Sequence, residues 1–218
     1  MRVQAVLFDL DGTLVDSLPG IEFSVDCSLA ECNGPQRRRD LRPLIGPPIR
    51  SILQQVAPDA DHQQLSALEQ AFRTSYDSEG WCKIVLHDGA LETLTRVRIA
   101  GLGLFLVTNK PLTPTQKILD ALGIAGFFTD VLCRDCRTPP FQSKQEMLQD
   151  IVATHGLSPA ACIYVGDSFE DLRAASDAGV PVALVAHGYG ALQSGHTGYT
   201  PLTNLRGVLN MIEILEVA

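Results

Sequence analysis

The chain has 218 residues, 45% of them hydrophobic and 19% charged, with a formal net charge of -8. That describes a globular protein long enough to bury a sizeable core, as one domain or as a core with a small insertion. The acidic balance argues against a nucleic-acid groove, which needs basic surface, but a phosphorylated small molecule stays open, because local positive groups and a metal can outvote a total. No apolar run approaches membrane-spanning length. Asp9 and Asp11 interrupt the N-terminal apolar stretch before it could form a signal-peptide core. A cytoplasmic protein with no membrane partner is therefore expected. The six cysteines (Cys27, Cys32, Cys82, Cys133, Cys136, Cys162) then read as mostly reduced, partly buried small side chains.

In chain order, Val3 to Phe8 reads as a short buried strand. It ends on Asp9 and Asp11, with Gly12 and Thr13 directly after. From Leu18 to Tyr76 the pattern is helical: Leu18 to Glu31, with Ile21, Val25 and Leu29 on one side, then Ile49 to Val56 and His62 to Tyr76. Asn33-Gly34-Pro35 and Gly46-Pro47-Pro48 break it. Gln36 to Asp40 reads as a charged link or helix start, and Arg37 to Arg39 as a solvated face. From Gly89 strand and helix alternate: helix Ala90–Arg98, strand Leu102–Val107, helix Thr113–Leu122, strand Phe128–Leu132, helix Ser143–His155, strand Ala161–Val165, helix Phe169–Ala178, strand Pro181–Val185 and a closing helix Leu205–Leu215. Such repetition implies an α/β fold, a parallel sheet with helices on both faces. The expected division is a core of residues 1–15 and 86–218 with a helical insertion at 16–85.

The first strand carries the chemistry. On extended backbone, residues two apart point the same way, so Asp9 and Asp11 can aim at one spot beyond the strand's C-terminal end. Close carboxylates repel unless a cation or a shared proton intervenes, which suits a hard metal such as Mg²⁺. Asp11-Gly12 alone would also suit a plain turn. At the end of a later strand, Thr108-Asn109-Lys110 offers a hydroxyl and backbone amides that can hold phosphate oxygens; Thr-Asn equally suits a helix start. A third strand ends on Gly166-Asp167-Ser168-Phe169-Glu170-Asp171, where Ser168 suits a helix cap and Glu170 reads as exposed.

Taken together, Asp9-Leu10-Asp11-Gly12-Thr13-Leu14-Val15-Asp16-Ser17, Thr108-Asn109-Lys110 and Gly166-Asp167-x-x-x-Asp171 resemble the motifs of the haloacid dehalogenase-like hydrolases. More narrowly, the chain looks like the phosphatases with a small helical cap inserted after the first strand, including phosphoglycolate phosphatases. The resemblance implies a Rossmann-like core with an inserted α-helical cap domain at 16–85. It implies a Mg²⁺-dependent phosphatase acting on a small phosphorylated metabolite, as a monomer or homodimer. Asp9 would attack phosphorus and form an aspartyl-phosphate. Asp11 would protonate the departing oxygen and then take a proton from water, with Gly12 and Thr13 supporting it. Mg²⁺ would bind Asp9, the backbone carbonyl of Asp11 and Asp167. Thr108, Asn109 and Lys144 would bind the phosphoryl group. Asp171 would be a ligand through water or an orienting carboxylate.

Some positions depart from the family's pattern. Lys144 lies in Ser143-Lys144-Gln145 rather than the common Lys-Pro, yet no other lysine follows Lys117. His87-Asp88-Gly89 stands where relatives often have a Pro-Gly hinge. In Gly46-Pro47-Pro48-Ile49-Arg50, Arg50 suits an anionic group on the substrate or a surface salt bridge. Lys110 fits the Thr-Asn-Lys pattern of phosphoglycolate phosphatase-like sequences or a surface lysine. Cys133-Arg134-Asp135-Cys136 has no second ligand pair at zinc spacing.

Rival readings share parts of this pattern. A phosphomutase of the same core would keep the phosphoryl group, and a phospho-accepting regulator would hold it without turnover. A dehalogenase does not need Asp11. A phosphonate-cleaving relative would need a Schiff-base lysine in the insertion, and none occurs from Leu14 to Trp81.

Overall fold

The computed structural model describes residues 2–34, 40–190 and 197–217. The charged stretch at Gln36–Asp40 lies, apart from Asp40, outside the described residues. The chain forms two compact units, one of Met1–Val15 with Leu86–Ala218 and one of Asp16–Val85.

The first unit is built on a six-stranded parallel sheet. Its strands are β1 (Ala5–Phe8), β4 (Gly103–Thr108), β5 (Asp130–Cys133), β6 (Cys162–Gly166), β7 (Val182–Val185) and β8 (Thr200–Leu202), in the order β5-β4-β1-β6-β7-β8. β1 lies between β4 and β6, with Phe8 level with Leu106 on one side and Val165 on the other. All four of its residues are buried, as a central parallel strand covered on both faces requires. The connections are α4 (Ala90–Ile99), α5 (Leu112–Ala121), α6 (Lys144–Thr154) and α7 (Phe169–Asp177), and α8 (Gly207–Val217) closes the chain. α6 and α7 cover one face, where Met147, Leu148, Ile151, Leu172 and Ala175 pack on Leu7, Phe105, Val107 and Tyr164. α4 packs against β4 and α8.

Two differences from the sequence reading have simple causes. The strand expected over Phe128–Leu132 runs from Asp130 to Cys133, because Ala125–Phe127 takes a 3-10 turn first. β8 was not foreseen: Thr200-Pro201-Leu202 is three residues long and centred on proline, which a sheet tolerates at its edge, where β8 lies.

The second unit is helical: α1 (Leu18–Glu31), α2 (Ile49–Val56), α3 (His62–Ser78) and a 3-10 turn at Gly80–Lys83. α1 and α2 keep the boundaries their periodicity implies; α3 runs two residues further than Tyr76. Asp16 Oδ1 accepts the Leu18 N–H at the start of α1, and Asp61 and Gln64 form a reciprocal cap on α3. α1 meets the 3-10 turn closely: a Cβ on Gly20 would stand 2.3 Å from the Gly80 carbonyl oxygen. β2 (Val15–Asp16) and β3 (Val85–Leu86) form a separate two-stranded sheet.

Candidate active site

In a parallel sheet all C-terminal strand ends share one edge. Asp9 follows β1, Thr108 ends β4, and Asp167 follows β6. All three residues are nearly out of solvent, at 6%, 1% and 5% exposure. Lys144, the first residue of α6, is 4% exposed. That helix starts where it does because Ser143 accepts the Glu146 amide. A surface lysine is excluded: Lys144 Nζ lies 2.6 Å from Asp171 Oδ1 and 3.1 Å from Asp9 Oδ1.

Asp171 is fully buried and is the hub of this arrangement. Its Oδ1 accepts from Lys144 and, at 2.9 Å, from the Tyr164 hydroxyl. Its Oδ2 accepts the Asp167 and Ser168 amides at 3.2 and 3.0 Å and the Ser168 hydroxyl at 2.6 Å. The Ser168 amide bond, with the Asp171 amide donating back to Ser168 Oγ at 3.3 Å, makes a capping box at the start of α7. Burial works to raise the Asp171 pKa, but Lys144 and the bonds from Lys144, Ser168 and Tyr164 outweigh it and hold the carboxyl below its usual range. Burial likewise works to lower the Lys144 pKa, and Asp171 and Asp9 outweigh it, keeping the ammonium charged.

Asp9 and Asp167 are in the opposite condition. Burial pushes Asp9 up to about 8; Lys144 opposes this, while Asp171, Asp167 and Asp11 add to it. Burial and the neighbouring Asp171 raise Asp167 to about 7 against the amides of Tyr189 and Gly190, which donate to its Oδ2 at 2.6 and 3.2 Å. Among the described residues, carboxylate oxygens of Asp9, Asp167 and Asp171 lie within 4.8 Å of one another. A single ammonium does not neutralise three buried carboxyls. The deficit, met by hard oxygen donors, fits a cation of the Mg²⁺ kind. With both Asp171 oxygens already engaged, Asp9 and Asp167 are the side chains suited to hold it, and Asp171 orients Lys144.

Asp11 stands apart from this triad. Its carboxylate accepts from Lys110 Nζ, at 3.1 Å to each oxygen. The Lys110 side chain is 7% exposed, so the surface-lysine reading fails. Its backbone N–H donates to Thr108 Oγ1 at 3.2 Å. Asn109 donates to exposed Glu170 at 2.8 Å, tying the β4 tip to the start of α7. Gly12 has φ +82°, and a Cβ there would stand 2.4 Å from Asp167 Oδ2; Thr13 is fully buried, and its carbonyl lies 3.0 Å from His187 Nε2. Arg50, in the helical unit, pairs with Glu69 at 3.0 Å and Ser66 at 3.3 Å. Cys133 and Cys136 are free thiols.

Several participants were missed from sequence. Gly188, Tyr189 and Gly190 clamp Asp167: Cβ atoms on the two glycines would stand 2.1 Å from Asp167 Cβ and 2.4 Å from Ser168 Cα. Gly188-x-Gly190 just past a strand end was the available signal of such close approach. Tyr164 had no signal, since an aromatic in a strand reads as core.

Known proteins resemble this chain across nearly its whole length. The family model of haloacid dehalogenase-like hydrolases matches residues 6–185. A phosphoglycolate phosphatase of Pasteurella multocida is 33% identical over 192 residues, covering 84% of this chain and 85% of the relative. The tyrosine-protein kinase PtkA of Mycobacterium tuberculosis is 31% identical over 188 residues, 86% of this chain and 63% of that protein. The solved structure of a predicted phosphoglycolate phosphatase from Haemophilus somnus superposes with a TM-score of 0.86 at 26% identity, covering 97% of this chain and 98% of the other. Asp9, Thr108 and Asp167 stand at C-terminal strand ends of one parallel sheet, Lys144 at the start of α6 reaches Asp9, and a family model spans most of that sheet: the chain belongs to the haloacid dehalogenase-like hydrolase family, among its phosphatases.

Proposed function

We propose that this protein hydrolyses a small phosphate monoester, phosphoglycolate-like or a sugar phosphate, through an aspartyl-phosphate on Asp9, with Mg²⁺ as cofactor. The observation that carries the reading is the Asp9–Lys144–Asp171 arrangement, a buried carboxylate held by an ammonium that a second buried carboxylate orients. The phosphatase relatives support the substrate class. In this reading the first unit carries the chemistry and the helical unit Asp16–Val85 is a cap that selects the substrate.

Asp9 attacks phosphorus, and the ester oxygen departs with the bond's electron pair. Asp11 gives that oxygen a proton, then accepts one from the water that hydrolyses the aspartyl-phosphate. Lys144 restrains Asp9 and meets the negative charge on the phosphoryl oxygens, with Thr108 and Asn109 beside it. Asp9 and Asp167, with the Asp11 backbone carbonyl, would hold Mg²⁺, which when bound supplies further positive charge to the transferring group.

The test is phosphate release over a panel of phosphate esters, with Mg²⁺ and with chelator. Free phosphate in stoichiometric yield separates the hydrolase from a phosphomutase. Asp9→Asn is expected to reduce turnover to background while the protein stays folded. Substantial phosphatase activity in that variant would remove Asp9 as the nucleophile.

A further inference from the structure

We propose that Lys110 is a positioning residue for proton transfer: its ammonium fixes the Asp11 carboxyl relative to the phosphate-binding hydroxyl of Thr108. The inference rests on the reading above, in which Asp11 is the acid. Lys110 Nζ stands 3.1 Å from both Asp11 oxygens. An aspartate on a turn can rotate about both side-chain torsions, and one cation straddling its two oxygens removes that freedom. The other end of Lys110 is tied as well, because its backbone N–H donates to Thr108 Oγ1. One residue therefore connects the hydroxyl at the tip of β4 to the carboxyl just past β1. The lysine side chain is more withdrawn from water than its partner, 7% against 21% exposed, so the pair is fixed from the lysine side.

The protons balance without Lys110 giving any up. In the first step the Asp9–phosphorus bond forms, the phosphorus–ester oxygen bond breaks, and the Asp11 proton moves to that oxygen. In the second, water oxygen bonds to phosphorus, the Asp9–phosphorus bond breaks, and a water proton returns to Asp11. While one Asp11 oxygen carries the proton, the other keeps the ammonium. Lys110 supplies location, and location matters most where the leaving oxygen is strongly basic.

The experiment compares p-nitrophenyl phosphate, whose leaving group needs little protonation, with glycerol 2-phosphate, whose leaving alkoxide needs it. Lys110→Met is expected to lower kcat on glycerol 2-phosphate about 30- to 100-fold and on p-nitrophenyl phosphate less than about fivefold, with KM changed less than about threefold. Added to Asp11→Asn, it is expected to lower kcat on glycerol 2-phosphate by less than about a further threefold, because both changes remove one function. Equal losses on the two esters, a rise in KM with kcat kept, or full additivity in the double variant would overturn the proposal. If Asp11→Asn itself fails to distinguish the two leaving groups, the acid assignment falls and this inference with it. Should Lys110→Met not fold, Lys110→Gln carries the same comparison.

Discussion

Lys144 Nζ lies closer to Asp171 than to Asp9, 2.6 against 3.1 Å. The tighter partner is the carboxylate that five donor contacts hold rigid, so Asp171 anchors the ammonium and, in the proposed reaction, leaves Asp9 available as the nucleophile. Removing one carboxylate from a buried charge network costs about 3–5 kcal/mol, and here it leaves Lys144 on Asp9 alone and takes the acceptor from the Tyr164 and Ser168 hydroxyls. Asp171→Ala is therefore expected to lower stability by that amount and phosphatase kcat by at least about tenfold. The combined Lys144→Met, Asp171→Leu variant should recover much of the stability in urea unfolding, because an apolar pair of similar volume avoids desolvation, and recover none of the activity. A double variant as unstable as Asp171→Ala would mean that the cap on Asp167 and Ser168, not the charge pair, is what Asp171 contributes.

The hydroxyl of Tyr164 reaches the same Asp171 oxygen from the middle of β6 and also lies 3.3 Å from the Val107 carbonyl. Tyr164→Phe keeps the ring in the core and removes one donor. A buried hydrogen bond to a charged group contributes about 1.5–3 kcal/mol. The expected result is a fall in stability within that range, with a smaller loss of kcat than Asp171→Ala causes. Unfolding curves and turnover measured side by side decide it; an unchanged midpoint would show that the phenol adds nothing to the hub.

How much of this was legible in the sequence depended on whether a residue's role is local. Asp9 and Asp11 stood out because an apolar strand ends on them, and Asp167 for the same reason. Lys144 was reachable through the resemblance and the lack of a rival lysine. Ser168 was readable as a cap and Asp171, through the resemblance, as a ligand through water or an orienting carboxylate, but Asp171's five donor contacts include Lys144, 27 residues away. The loop Gly188–Gly190 and the Lys110–Asp11 pair, 99 residues apart, depend on which strand tips become neighbours, and no local pattern encodes that. The start of β5 was misplaced by two residues because Phe128 and Thr129 favour a strand by type while the preceding 3-10 turn sets where pairing begins.

The raised carboxyls make stability fall as pH rises in metal-free protein. Asp9 and Asp167 hold protons in the folded chain up to about 8 and about 7, whereas the unfolded chain sheds them near 3.8. Between those limits the folded state binds more protons than the unfolded state. Their contribution is complete below about 3.8 and is lost as pH climbs through about 7 to 8. With chelator, the unfolding temperature is expected to fall from pH 5.5 to 8.5, and the fall should shrink in Asp9→Asn and Asp167→Asn. Mg²⁺ requires the deprotonated carboxylates, so the stabilisation it gives is expected to grow over the same interval. Slopes that match in the wild type and both amide variants would show that these two groups do not govern the pH dependence.

Two glycines with almost the same φ separate conformational strain from site geometry. Gly12 and Gly101 have φ of +82° and +75°, so an alanine at either is strained by about 1 kcal/mol from the backbone alone. Around Gly101 nothing lies within 4 Å of the added Cβ. At Gly12 that atom would stand 2.4 Å from Asp167 Oδ2 and 2.8 Å from the Tyr189 ring. The tyrosine is buried and its own amide holds the same Asp167 oxygen, so neither neighbour can yield without moving the carboxylate. Gly101→Ala is expected to cost about 1 kcal/mol of stability and leave kcat within about twofold. Gly12→Ala is expected to cost more and to weaken Mg²⁺ binding, measured by calorimetry, by at least about tenfold, since Asp167 must shift. Equal effects of the two substitutions on metal binding would mean that the close packing of Gly12 on Asp167 has no part in holding the cation site.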